Sequence, residues 1–148
     1  MDTQKIGRSG ELLVQYRLLR QGIDSALMTT DSGIDLVAYG SQTKKSVTIQ
    51  IKTNLRPKKS GGKGKLALGF WIEDNSPADL IAFVDLSSES IWLFTNSEIS
   101  KLSQQHSNGR YQLYYYVDES VIVKAGERKR VSQFNNYRLE NRITKLLN

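Results

Sequence analysis

The sequence predicts a mixed α/β domain in which a β-sheet is flanked by helices. Three observations carry that expectation: an amphipathic segment opens the chain, β-rich runs separated by turn residues fill the middle, and an amphipathic segment closes it. The 148 residues suit one domain spanning 1–148, long enough to bury roughly 68–70% of the surface its unfolded chain exposes. No internal repeat or linker divides it.

Taken in order, residues 4–21 read as a helix. Ile6, Leu13, Tyr16 and Leu19 fall near helical spacing, and Gly22 is a stop. Gly7 and Gly10 are poor helix formers, so close packing is expected there. A short strand is expected at 26–29, a turn at Asp31-Ser32-Gly33, and strands at 34–39 and 46–53 joined by a hairpin over 40–45. Residues 54–65 are polar, basic and glycine-containing and read as an exposed loop. Strands follow at 66–73, 80–86 and 91–95, then a short helix over 97–104. Residues 111–117 and 121–124 read as a late hairpin. The closing helix is expected over 135–147, with Leu139, Ile143, Leu146 and Leu147 on one side.

Composition excludes several chemistries. The chain has no Cys and one His, so disulfides, thiolate nucleophiles and zinc sites built from Cys or several His are out. No apolar run approaches membrane-spanning length and no apolar signal core stands near the N-terminus, so a soluble cytoplasmic protein is expected. His106 sits among polar loop residues and receives no catalytic role. Gly61-Gly62-Lys63-Gly64-Lys65 does not fit the phosphate-loop pattern, and a strand follows it instead of a helix, so no nucleotide cofactor is expected.

The net charge of +6 is unevenly spread. Residues 36–72 carry eight basic side chains and no acidic one, and residues 73–123 carry two basic and eight acidic. Residues 124–148 carry seven basic and two acidic. Two basic blocks around an acidic one imply a positive side that attracts phosphate backbones. Arg56, Lys58, Lys59, Lys63 and Lys65 form the first candidate DNA contact, with Arg56 suited to a bidentate guanine contact. Lys129 and Arg130 belong to the second block, with Lys124 and Arg128. Solvated basic loops would read the same way. Tyr114, Tyr115 and Tyr116 are expected in the core or a subunit interface.

Four polar residues interrupt apolar surroundings: Glu11, Asp35, Gln50 and Lys52. Strand side chains alternate, so Gln50 and Lys52 share one face while Ile49 and Ile51 take the other. If Tyr39 pairs with Ser46 across the hairpin, Asp35 faces Gln50 and lies diagonal to Lys52, about 5 Å being the usual cross-strand spacing. Glu11 joins them if the first helix packs over that face. Oxygen donors from Asp35 and Gln50 suit Mg²⁺, which takes one or two carboxylates plus phosphates and water. Lys52 is a compact cation able to orient a water or stabilise charge on phosphorus. Together these are the parts for hydrolysing a phosphodiester. The same residues also fit an exposed strand lysine, a turn-capping aspartate and a solvent-facing glutamine.

The stretches Gly10-Glu11, Gly33-Ile34-Asp35-Leu36-Val37 and Ile49-Gln50-Ile51-Lys52 resemble, in order and spacing, the PD-(D/E)XK nuclease superfamily. Within it the chain is most similar to compact intron-encoded homing endonucleases. The resemblance implies a restriction-endonuclease-like core and a metal-dependent endonuclease acting on double-stranded DNA. It further implies Mg²⁺ (with Mn²⁺ as a substitute) held by Asp35, Gln50 and Glu11, and Lys52 as the catalytic lysine. Gln50 stands where most members have Asp or Glu, which removes one negative charge and weakens metal binding without DNA. Cutting both strands implies a homodimer, or a homotetramer for a long site. A Holliday-junction resolvase, a non-catalytic DNA-binding module and a protein-interaction domain are the alternatives.

Overall fold

The computed structural model describes residues 1–30 and 32–147, so Asp31 of the expected Asp31-Ser32-Gly33 turn lies outside the described residues. The elements are α1 (Thr3–Arg20), β1 (Asp24–Leu27), β2 (Leu36–Gly40), β3 (Lys45–Asn54), β4 (Lys58–Lys59), β5 (Leu66–Glu73), β6 (Leu80–Asp85) and β7 (Ser90–Phe94). They continue as α2 (Asn96–Leu102), β8 (Gln105–Ser107), β9 (Arg110–Tyr116) and α3 (Leu139–Leu147).

The strands form two sheets where the sequence suggested one. The first has the order β1-β2-β3-β6-β7, and within it only β3 and β6 run parallel. The second, β4-β5-β9-β8, is antiparallel throughout. Helices α1 and α3 cover one face of the mixed sheet, and α2 packs with its Ile99 on the other. That other face also packs against the second sheet, whose β4 and β5 come from the crossover between β3 and β6 and whose β8 and β9 follow α2.

Two apolar layers follow from strand alternation. Ile49 and Ile51 of β3, with Leu80, Ala82 and Val84 of β6, pack under Val14 and Leu18 of α1 and Leu139, Ile143 and Leu147 of α3. Ile81 and Phe83 of β6 face the opposite way, onto Leu68, Phe70 and Ile72 of β5 and Leu113 and Tyr115 of β9. This second layer is aromatic: Phe70 stacks on Phe83 with ring centroids 4.4 Å apart, and Trp92 meets Tyr115 edge-on at 5.2 Å.

Helix α1 buries Gly10, Val14 and Leu18. Tyr16 and Leu19, expected on the core stripe, are exposed. The close approach at Gly10 selects the stripe, because a Cβ on Gly10 would overlap Thr53 Oγ1 of β3. Only glycine lets the helix axis come this near the strand.

Other expectations need correction. The strand expected at 26–29 lies at Asp24–Leu27, and the one expected from 34 begins at Leu36. The 54–65 loop contains β4 and a 3-10 turn at Ser60–Gly62. Residues 121–124 form no strand, so the late hairpin is instead β8–β9. Its turn is Asn108-Gly109, both with positive φ (53° and 73°), the pair a two-residue hairpin favours. The closing helix is interrupted: Val131–Tyr137 is a 3-10 turn, and Arg138 is extended because its backbone bridges to Trp92 of β7. Tyr115 is core as expected, whereas Tyr114 and Tyr116 are half-buried on the far side of β9. No helix among the described residues is long and apolar enough to cross a membrane.

A buried-side clamp ties α2 to α3. Arg142 donates to both carboxylate oxygens of Glu98, at 2.8 and 3.0 Å, and to the Leu93 carbonyl at 2.7 Å. Partial burial pushes the Glu98 pKa up, but the Arg142 and Thr95 hydrogen bonds outweigh it and leave it below 4.5. A carboxylate with a lowered folded pKa stabilises above its unfolded value, and that stability is lost as pH falls through the folded pKa. Thermal melts should therefore show Glu98→Gln less stable than wild type at pH 7, with the gap shrinking as pH is lowered through and below 4.5. The Gly10 contact gives a second expectation. Gly10→Ala should destabilise the chain by about 1–3 kcal/mol in urea unfolding, the usual cost of overpacking, and Thr53→Ala in the same chain should recover only part of it, because the Cβ of residue 53 would still lie 2.8 Å from the new methyl group.

Candidate functional site

Strand β3 lies between β2 and β6 and carries two chemistries on its two faces. Ile49 and Ile51 enter the helix-side core, and Gln50 and Lys52 emerge on the other side, level with Ile81 and Phe83 of β6. The expected Tyr39–Ser46 pairing is present, and the β2–β3 ladder runs in that register to Leu36–Ile49.

At Asp35 the ladder breaks. Its amide donates to the Ile49 carbonyl (2.9 Å), one residue short of Gln50, and its carbonyl accepts from Met28 N (2.9 Å). The carboxylate takes the place of a backbone partner, with Oδ2 accepting from Ile51 N at 2.6 Å. Such a break at a strand end re-aims a side chain. It brings Asp35 to the stretch of β3 between Gln50 and Lys52. A hydrogen bond to a charged acceptor contributes about 1.5–3 kcal/mol, so it also anchors the end of β2.

Gln50 is buried, 6% exposed. Ser76 Oγ donates to its Oε1 at 2.5 Å, and its Nε2 donates to Glu73 Oε2 at 3.3 Å. These two partners fix which end of the amide is the oxygen. Lys52 Nζ lies 3.9 Å from Glu73 Oε1. Glu73 is thus a second carboxylate in the cluster, and sequence reading missed it together with Ser76. They arrive from the end of β5 and the turn after it, and only the pairing of the two sheets brings them to β3. Asn54 reinforces the seam by donating from Nδ2 to the Gly69 carbonyl of β5 at 2.9 Å. Glu73 is held below the usual 4.5, first by a hydrogen bond with its own backbone; partial burial opposes this, and the Lys52 charge and the Gln50 amide reinforce it.

Glu11 follows the Gly10–Thr53 contact on the α1 side of β3 and pairs with Arg8 at 3.3 Å. The structure therefore sets Asp35 at the stretch of β3 that carries Gln50 and Lys52, and Glu11 follows the contact of α1 with Thr53, the next residue of β3. Among the described residues no three His, Cys, Asp or Glu side chains form a metal cage. A divalent metal would rest on Asp35 and on Gln50 Oε1, whose second lone pair is not used by Ser76. Phosphate and water would complete a shell of hard oxygens, an arrangement that suits Mg²⁺.

Of the candidate DNA contacts, Arg56, Lys58, Lys59 and Lys63 are exposed. Lys65 reaches Asp118 at 3.7 Å and Lys129 reaches Glu127 at 3.2 Å, while Arg130 donates to the Glu119 carbonyl. His106 hydrogen-bonds Asp74 at 2.8 Å, at the rim of the second sheet.

Neither a protein-family model nor a curated protein sequence matches the chain. Among solved structures it is similar to a bacterial homing endonuclease, I-Ssp6803I, with a TM-score of 0.60 and 14% sequence identity over 99% of this chain and 97% of that one. The likeness establishes the fold: a restriction-endonuclease-like arrangement of mixed sheets flanked by helices, as the PD-(D/E)XK resemblance implied.

The Gln50 environment yields a direct expectation. Gln50→Glu would set a second carboxylate against Glu73, so in EDTA its Tm should fall, by roughly 2–4 °C for each kcal/mol of repulsion. Millimolar Mg²⁺ should raise the Tm of that variant more than that of wild type, because the added charge strengthens the metal's hold.

Proposed function

We propose that this chain is a Mg²⁺-dependent, site-specific endonuclease that hydrolyses phosphodiester bonds of double-stranded DNA, of the homing type. The observation that carries the proposal is the seating of Asp35 against β3 at Ile51, between Gln50 and Lys52, on a fold shared with a homing endonuclease. In this reading Asp35 supplies an anionic oxygen, Gln50 a neutral one, and Glu11 a further acid from α1 to the metal's surroundings. Mg²⁺, or Mn²⁺ in its place, supplies a Lewis acid that polarises phosphate and acidifies bound water.

The remaining work belongs to the chain. Lys52 Nζ binds the scissile phosphate and donates to the charge that builds on its oxygens in the pentavalent transition state. Glu73 keeps that ammonium at the seam and yields it when phosphate arrives. Ser76 and Glu73 hold the Gln50 amide with its oxygen presented. Asp35 keeps its place through the Ile51 amide. Arg56, Lys58, Lys59, Lys63 and Lys65 bind one length of duplex backbone, with Arg56 reaching a guanine edge, and Lys129 and Arg130 bind another. Two strands require two centres, so the acting form is a homodimer or a homotetramer, and a cytoplasmic location accords with access to DNA.

A second reading has one observation in its favour. Both ends of the Gln50 amide are already hydrogen-bonded, as they would be in a DNA-binding module that no longer cuts. One assay separates the two. Supercoiled plasmid and a four-way junction are incubated with wild type, Asp35→Asn and Lys52→Ala, in Mg²⁺ and in EDTA. The proposal expects Mg²⁺-dependent cutting by wild type, reduced at least a hundredfold in both variants while DNA binding persists. Asparagine keeps an oxygen for the Ile51 amide, so the first variant remains folded. Preference for the junction would identify a resolvase, and salt-sensitive binding without cutting by any form would favour the module.

A further inference from the structure

The second sheet turns one face into the aromatic core and leaves the other bare. On the bare face, alternation places Gln112, Tyr114 and Tyr116 of β9, Gln105 of β8, and Gly69 and Trp71 of β5. Gln105 and Gln112 are direct cross-strand partners, and neither side chain is hydrogen-bonded among the described residues. Gln104 differs. It donates to the Tyr114 carbonyl at 2.5 Å and accepts from the Tyr114 amide at 2.8 Å, so its amide is used to prolong the ladder. Two adjacent glutamines with unengaged amides on an open sheet are therefore available to a ligand.

The floor beside them is hollow. A Cβ at Gly69 would come within 3.0 Å of Tyr114 Cδ2 and 3.7 Å of Gln112 Nε2, so these two side chains lie over bare backbone. A groove of about 220 Å³ runs there from Asn54 and Arg56 past Lys58, Lys59 and Gly69 to Tyr114. It adjoins another that continues to Gln105, Gln112, Tyr116 and Lys129. Exposed cations stand along its entrance, in a stretch of sequence without a single acidic residue between 36 and 72. A positive rim around uncharged amides is complementary to a nucleic acid, where cations meet phosphates and amides meet base edges. Lysine is depleted from protein–protein interfaces, so a second copy of the chain fits this face less well.

The sheet also has the right placement. Strand β5 ends at Glu73, in contact with Lys52 and Gln50, and Trp71, the cross-strand partner of Gln112, lies two residues back, about 7 Å along the strand. That distance is about two base pairs of duplex, and Gln105 lies one strand further out. The major groove admits a two-stranded antiparallel ribbon, and glutamine pairs through two hydrogen bonds with adenine N6 and N7.

Resting on the nuclease reading, we propose that the outer face of the β8–β9 ribbon enters the major groove of double-stranded DNA, where Gln105 and Gln112 read adenine a few base pairs from the scissile phosphate. In this arrangement Lys58, Lys59 and Lys129 grip the flanking phosphates, and Tyr114 and Tyr116 fill the groove against base and sugar edges.

The test selects bound duplexes from a pool with a randomised centre, in EDTA so that nothing is cut. Wild type, Gln105→Ala/Gln112→Ala and Arg56→Ala are compared as full-length proteins, and the selected positions are sequenced. The expected result is a motif in which the double glutamine variant alone loses adenine at one or two positions. Its affinity for the wild-type motif should fall about tenfold or more, with affinity for unselected duplex unchanged as the sign of an intact fold. If the double variant keeps the wild-type motif, the sheet face is overturned and the nuclease reading stands. Duplex binding that enriches no motif overturns base reading by this face. If wild type binds no duplex even at low salt, DNA binding itself fails and the sheet proposal falls with it.

Discussion

The two-residue period of β3 is the constraint on which the rest of the molecule depends. Its odd-numbered apolar residues are held in the core beneath α1 and α3, and β2 and β6 pair with it on either side. A slip of one residue would send Ile49 and Ile51 to the seam and bury Gln50 and Lys52 among aliphatic side chains. Burying an unpaired lysine costs so much that the register has no close competitor. The same packing that folds the sheet therefore aims the polar residues.

What makes the seam a site is that several elements end there. Asp35 reaches β3 because the β2 ladder fails one residue early, and its carboxylate replaces the missing backbone partner. Glu73 arrives because β5 ends where β3 exposes Lys52, and Ser76 comes from the turn that leads on to β6. The glycine at position 10 lowers α1 onto Thr53, immediately after Lys52. Each feature is a small departure from regular structure, and each supplies a polar group to one place. The buried amide of Gln50 joins the two sheets chemically, as Asn54 does four residues further along β3.

Much of this was legible in the sequence because it is local. The Gln50–Lys52 alternation and the Tyr39–Ser46 register follow from a strand, a short turn and a strand, and together they bring Asp35 to β3. What was not legible depends on pairing between distant segments. Nothing in residues 66–73 says that they align with 110–116, so the second sheet, and with it Glu73 and Ser76, stayed hidden. One signal was present and unused: Asn108-Gly109 marks a two-residue hairpin and would have paired β9 with β8. The α1 face was misjudged because apolar spacing alone ranks Leu19 above Gly10, whereas close packing rewards the residue with no side chain. Arg138 breaks the last helical stretch through a backbone bridge to Trp92 that only the tertiary fold reveals.

The central proposal is that Asp35 and Gln50 form one oxygen site for a divalent metal at this seam. Paramagnetic line broadening by Mn²⁺ tests it most directly, because it reports position at low occupancy and needs no target DNA. With substoichiometric Mn²⁺ added to isotopically labelled protein, the Gln50 side-chain amide and the Ile51 backbone amide should broaden before any other resonance, and Asp35→Asn should abolish the effect. Broadening centred on another acidic surface, or equal broadening in Asp35→Asn, would contradict the account.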